Sequence, residues 1–134
     1  MKAVHIQNFL ACVFLGLGSW CVLEPGTVEQ LMLRPEFLVL NETSKLLLVC
    51  FGLQAVLCGV VLLLTKLSHS AFLAIGFFGS LPFMVFNYYY YFVAQMFTDW
   101  MLLDLLGSAA MLVCGVLGYR LAKKESEQLR FGGF

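Results

Sequence analysis

Asp104, in W-M-L-L-D-L-L-G-S-A-A-M-L-V-C-G, stands about one helical turn inside a long apolar run. An ionisable group within a membrane-length segment needs a partner or water and so marks a candidate functional site. Just upstream lies F-N-Y-Y-Y-Y-F-V-A-Q-M-F-T-D-W, Phe86 to Trp100. Four consecutive residues sweep about 300° of a helix, so the tyrosines cannot all enter one pocket. Helical spacing puts Tyr88, Tyr91, Gln95 and Asp99 on a narrow arc. Tyr89 and Tyr90 point elsewhere and suit the aromatic belt at a membrane interface. With Glu24 and Lys45, these residues are expected to meet at one end of a helical bundle. A mouth of that kind, with phenylalanine below it, would suit an amphipathic ligand such as a lipid, sterol or quinone. Lys45 and the tyrosine hydroxyls are the expected partners of Asp104. The competing reading makes Asp99 and Asp104 helix caps that interact with the helix dipole and face headgroup water.

Other chemistries are poorly provided for. The histidines, His5 and His69, both fall on the side opposite Asp104, which argues against a bis-histidine haem and against histidine acid–base work beside the aspartate. No acid occupies the centre of a span, as a small proton-coupled exporter would require. Cys12, Cys21, Cys50, Cys58 and Cys114 all lie in apolar segments, without a C-x-x-C pair for thiol exchange. Cys50, Gln54 and Cys58 form an i, i+4, i+8 row in the second span. Gln54 needs a hydrogen-bonding partner there, whereas two thiols two turns apart cannot close around one ion. No catalytic residue, metal or cofactor is assigned.

The elements that must position these groups follow from composition. Hydrophobic residues make up 61% of the 134 and the mean hydropathy is +0.90, which places the chain in a membrane. Eight cationic and eight acidic residues cancel, so no basic field points to nucleic acid. A hydrocarbon core of about 30 Å takes about 20 helical residues. Four segments qualify: Ile6 to Leu23, Leu46 to Thr65, Phe72 to Gln95 and Trp100 to Leu121. The first lacks a small-x-small cleavage site and reads as a retained anchor.

The expected fold is all-α, one four-helix transmembrane bundle with a short amphipathic helix in its first loop and a flexible tail over 122–134. Thr27 and Gln30 suggest a capping box for the short helix, and Pro35 a stop. Lys2, Lys66, Arg120, Lys123, Lys124 and Arg130 share the side of the termini, against Arg34 and Lys45 opposite. This asymmetry predicts cytoplasmic termini. N-E-T at Asn41 is a glycosylation sequon on the predicted outer side.

Helix association in lipid rests on close packing of small residues. Gly52, Ala55 and Gly59 supply such a seam in the second span. Gly107, Ser108, Gly115 and Gly118 do so in the fourth, on the face that also carries Asp104 and Met111. Cys12, Gly16 and Ser19 are the candidate seam of the first span. Pro82 should bend the third.

The stretches F-L-G-L-G-S-W-C-V-L-E-P, F-G-L-Q-A-V-L-C-G and a final G-Y-R before a polar tail resemble, in layout, the DoxX-like small four-helix membrane proteins. That resemblance implies a compact membrane module, often an accessory component, and transfers no catalytic residue. The expected function is therefore non-catalytic: an accessory or assembly subunit of a membrane complex, or a homo-oligomer. Its partners would be membrane lipids and other subunits or itself. The alternative is a protein or enzyme that takes an amphipathic ligand at the tyrosine and aspartate cluster.

Overall fold

A computed structural model describes residues 2–132. Six helical segments and a π-turn follow in order: α1 (Ala3–Leu23), α2 (Pro25–Met32), a 3₁₀ turn (Pro35–Phe37), α3 (Glu42–Leu64), α4 (His69–Tyr88), a π-turn (Tyr89–Val93) and α5 (Met101–Phe131). Among the described residues, α1, α3, α5 and the continuous α4–π-turn segment are long and apolar enough to cross a membrane. The chain is thus an all-α, four-span protein. At 1.5 Å per residue α5 reaches about 46 Å, longer than a bilayer core. The helix runs on to Phe131 where a flexible tail was expected. Lys123, Lys124, Glu127 and Arg130 therefore ride on a helical extension; Gly133 and Phe134 lie outside the described residues.

The spans associate in two tight pairs. Helix α1 lies against α3, and α4 against α5, while the pairs join chiefly through α1 and α5. Backbone contact explains both pairings. A Cβ built on Gly18 would come within 2.7 Å of the Gly52 carbonyl oxygen, and one on Gly52 within 2.6 Å of the Gly18 oxygen. Gly59 fits against Leu15 and the Ala11 carbonyl in the same way. In the other pair, a Cβ on Gly115 would lie 2.5 Å from the Gly76 Cα, and Gly118 makes room for the Phe72 ring. The contact face of α1 is thus Ala11, Leu15 and Gly18. The expected seam is displaced: Cys12, Gly16 and Ser19 are exposed, with open space above Gly16. Gly107 also has nothing within 4 Å of a Cβ, so of the α5 seam Ser108, Gly115 and Gly118 are buried and Gly107 is not.

The pairs join at the side of the termini. Ala3, Ile6, Leu10 and Ala11 of α1 share a core with Leu62 of α3 and Phe72 of α4, and Tyr119 and Leu121 of α5 pack against it. The Gln7 side chain, 4% exposed, is embedded beside this core. Its amide Nε2 donates to the Leu62 and Thr65 carbonyls, each at 2.5 Å, and its Oε1 accepts from the Leu67 N–H at 3.2 Å. One side chain thereby satisfies carbonyls at the end of α3 and fixes the turn into α4, where backbone groups would otherwise lack partners.

Glycine-to-alanine substitutions should separate contact glycines from idle ones. Gly52→Ala and Gly115→Ala are expected to destabilise by about 1–3 kcal/mol, because a methyl would meet backbone atoms that cannot yield. Gly16→Ala and Gly107→Ala should be neutral or slightly stabilising, since a helix gains from losing glycine and the space is open. Thermal unfolding in a mild detergent reads the difference; equal effects at all four sites would contradict the paired packing.

Candidate functional site

On the side away from the termini, the first loop and the turn after α4 are stitched together. Helix α2 starts at Pro25, whose fixed φ suits the first helical position, rather than through a capping box at Thr27. Thr27 instead donates to the Glu24 carboxylate at 3.4 Å. The helix ends at Met32, before Pro35, because Leu33 turns extended and pairs antiparallel with Phe97. The Arg34 N–H donates to the Met96 carbonyl and the Thr98 N–H to the Met32 carbonyl, both at 2.9 Å. Arg34 Nε adds a bond to the Phe97 carbonyl at 3.0 Å. The Thr98 hydroxyl donates to the Leu31 carbonyl.

Glu29 holds the rest of the loop, and only its surroundings in three dimensions reveal that. It is 3% exposed. Its Oε1 accepts from the N–H groups of Val39 and Leu40, each at 3.0 Å, and its Oε2 from the Ser44 hydroxyl at 2.7 Å. Leu40 sits at φ 46, a left-handed conformation that a branched residue adopts only when neighbours hold it. Burial pushes the Glu29 carboxyl up, but the bonds from Leu40, Ser44 and Val39, with the charge of Lys45, bring it below its ordinary value.

The tyrosine run departs from the arc drawn on an α-helix. Tyr89–Val93 form a π-turn, in which the Ala94 N–H reaches back five residues to the Tyr89 carbonyl at 2.9 Å. The wider turn changes the angle between successive side chains, and Gln95 at φ 52 then breaks the helix. The Met96 and Phe97 N–H groups both close onto the Tyr90 carbonyl. Tyr90, expected to face lipid, packs its ring on Phe86 and Phe97 at centroid distances of 4.7 and 5.5 Å. Phe97 is almost wholly buried. Tyr88, expected to face the bundle mouth, is 57% exposed, and Tyr89 is about as exposed. Tyr91 donates to Asp99 Oδ1 at 2.9 Å, so those two arc members do meet. Gln95 is exposed beyond the helix end.

Asp104 has a different partner from those expected. Asn87, 1% exposed on α4, donates through Nδ2 to Asp104 Oδ2 at 2.7 Å and to the Phe83 carbonyl at 3.0 Å. Lys45 is engaged elsewhere, with Glu42 at 3.1 Å one turn along α3, and Glu24 is exposed at the start of α2. Helix α5 begins after the Thr98–Trp100 turn, and its N-cap position, Trp100, supplies no side-chain cap. Asp104 itself is exposed beside the open Gly107. Two buried atoms on the same face of α4, Asn87 Oδ1 and Ser80 Oγ, have no hydrogen-bond partner among the described residues. A surface groove lies elsewhere, on the outer flank of α4 between Phe77, Phe78, Leu81, Pro82 and Val85, where its lining is almost wholly apolar.

Sequence reasoning passed over Asn87, Glu29 and Gln7. Asn87 stood directly before the tyrosines, seventeen residues from Asp104, and antiparallel α4 and α5 bring that separation into register. Asn41 caps α3 by accepting from the Ser44 N–H at 2.8 Å and remains exposed. Among the described residues, no three His, Cys, Asp or Glu side chains group closely enough to hold a metal ion. No family model, curated protein or solved structure matches the chain.

Loss of Glu29 should free the loop. Glu29→Ala is expected to lower amide protection at Val39 and Leu40 about 10- to 100-fold in hydrogen exchange, in keeping with the loss of bonds to a charged acceptor. Glu29→Gln, which retains an acceptor oxygen, should fall between. The depressed folded pKa fixes the sign with pH: the clamp is fully present above the ordinary glutamate value of about 4.3 and weakens as pH falls through the lower folded value. The glutamine variant should lose that acid sensitivity.

Proposed function

We propose that this chain is a non-catalytic, multi-pass membrane subunit whose polar side chains serve folding and association. The observation carrying this reading is the way its acids are engaged. Glu29 clamps a loop, Asp99 accepts from Tyr91, Asp104 accepts from Asn87, and Glu42 pairs with Lys45. None of these acids bonds to a histidine among the described residues, and the thiol that lies within range of the Asp104 charge, Cys21, is buried. The layout resembling DoxX-like proteins agrees with an accessory role, in a complex with other subunits or with itself and surrounded by membrane lipids.

A second reading draws on one specific feature. Asp104 is exposed next to the space above Gly107, while Asn87 Oδ1 and Ser80 Oγ are buried without a hydrogen-bond partner among the described residues. Asp104 could receive the polar end of a lipid, sterol or quinone, with Tyr88, Tyr91, Gln95, Lys45 and Glu24 on the same side of the membrane.

Native mass spectrometry from gentle detergent distinguishes the two. The subunit reading expects a mass increment of a further polypeptide. A lone chain in every such condition would overturn it. The ligand reading expects a retained lipid-sized mass that Asp104→Leu removes, and a mass unaffected by that substitution would count against it.

The excess of Lys and Arg on the side of the termini supports placing both termini in the cytoplasm or its equivalent. Glu36→Cys, in the 3₁₀ turn, and Ser126→Cys, on the α5 extension, should then react with an impermeant thiol reagent from opposite sides, only Glu36→Cys from outside. Use of the sequon at Asn41 would require the same orientation. Labelling of both from one side would refute the four-span topology.

A further inference from the structure

We infer that the outward face of α3 binds a second copy of this chain, with Gln54 meeting Gln54 of that copy near the middle of the membrane. The inference deepens the subunit reading above and rests on it. Helix α3 packs on α1 and α2, and its Gly52 and Gly59 face is used up in α1. Gln54 is exposed on another face of α3, between exposed Cys50 and Cys58. It lies about 18 Å along the helix from Glu42, well inside a hydrocarbon core of about 30 Å. No group among the described residues offers it a hydrogen bond, and lipid tails cannot.

The chemistry of the amide selects the partner. A lone carboxylate or ammonium at this depth would call for a group of opposite charge on a different surface. A carboxamide carries both donor and acceptor and is complementary to itself. Two copies inserted in the same orientation are related by a two-fold axis along the membrane normal, so equivalent residues on a shared face meet at equal depth. Gln54 can therefore give its N–H to the other amide oxygen and receive one in return. Cys50 and Cys58, one turn on either side, are short enough to let the helices approach along an i, i+4 ridge. The same two-fold brings Cys50 near Cys50 of the other copy and Cys58 near its counterpart.

Cysteine cross-linking in membranes tests the pairing. Chains of full length retaining only Cys50, only Cys58 or only Cys12, the others replaced by alanine, are oxidised with copper phenanthroline. Covalent dimers are expected from the Cys50 and Cys58 chains, and little from the Cys12 chain. Gln54→Leu, whose side chain faces outward and leaves the fold undisturbed, should weaken dimerisation about 3- to 30-fold in a lipid titration by energy transfer. Absence of dimers at both cysteines, or unchanged association of Gln54→Leu, would overturn the inference. Cross-linking of Cys58 to a different polypeptide would also overturn it while leaving the subunit reading intact, and a monomer throughout would sink both.

Discussion

Direct contact between helix backbones is the constraint on which the rest of this structure depends. Inside a bilayer, lipid tails are as apolar as leucine side chains, so burying leucine against leucine supplies little drive to associate. What remains is dispersion at close range, and that requires side chains small enough to let main chains touch. Gly18, Gly52 and Gly59 meet that condition for α1 and α3, and Gly76, Gly115 and Gly118 for α4 and α5. The two pairs are therefore the units of the fold. The large apolar residues are correspondingly displayed outward, as Leu57, Phe78 and Leu106 illustrate.

Joining the pairs is a separate problem, and each side of the membrane solves it differently. At the side of the termini, aliphatic and aromatic packing around Phe72 is combined with the three hydrogen bonds of Gln7. On the other side the link is polar and largely main-chain: Leu33 pairs with Phe97, Arg34 with the same turn, and Glu29 secures the path from α2 into α3. A buried glutamate is tolerated there because its carboxylate accepts three bonds, two of them from the Val39 and Leu40 N–H groups, which themselves need a partner. Asn87 and Asp104 add one cross-bond between α4 and α5 within the membrane-length segments. Beside it, Gly107 leaves an opening instead of a contact.

Much of this was legible from residue order alone, but unevenly. The four spans, the short helix after Glu24 and the seam of α3 follow from apolar length, a proline and the spacing of Gly52 and Gly59. The seam of α1 was misplaced because Cys12, Gly16 and Ser19 have the same small-residue spacing as a real contact face. The face that α1 presents is set by where Ala11, Leu15 and Gly18 meet α3. The tyrosine arc holds only for Tyr91 and Asp99, for another reason: it assumes α-helical angles through residues that adopt a π-turn and then a left-handed Gln95. Local bonds to the Tyr90 carbonyl and the burial of Phe97 override the simple period there.

The sequence by itself determined that the chain is apolar enough for a membrane, how many times it crosses, and that Asp104 and Gln54 each need a polar partner. Those conclusions depend on composition and on distances along one helix, which the covalent chain carries. The tertiary structure alone decided who the partners are. Asp104 found Asn87 because antiparallel α4 and α5 are brought into register by their glycines, while Gln54 was left facing outward because α3 spends its glycine face on α1. Partner choice is a property of how two helices are rotated and shifted against each other, and no spacing within either one contains it.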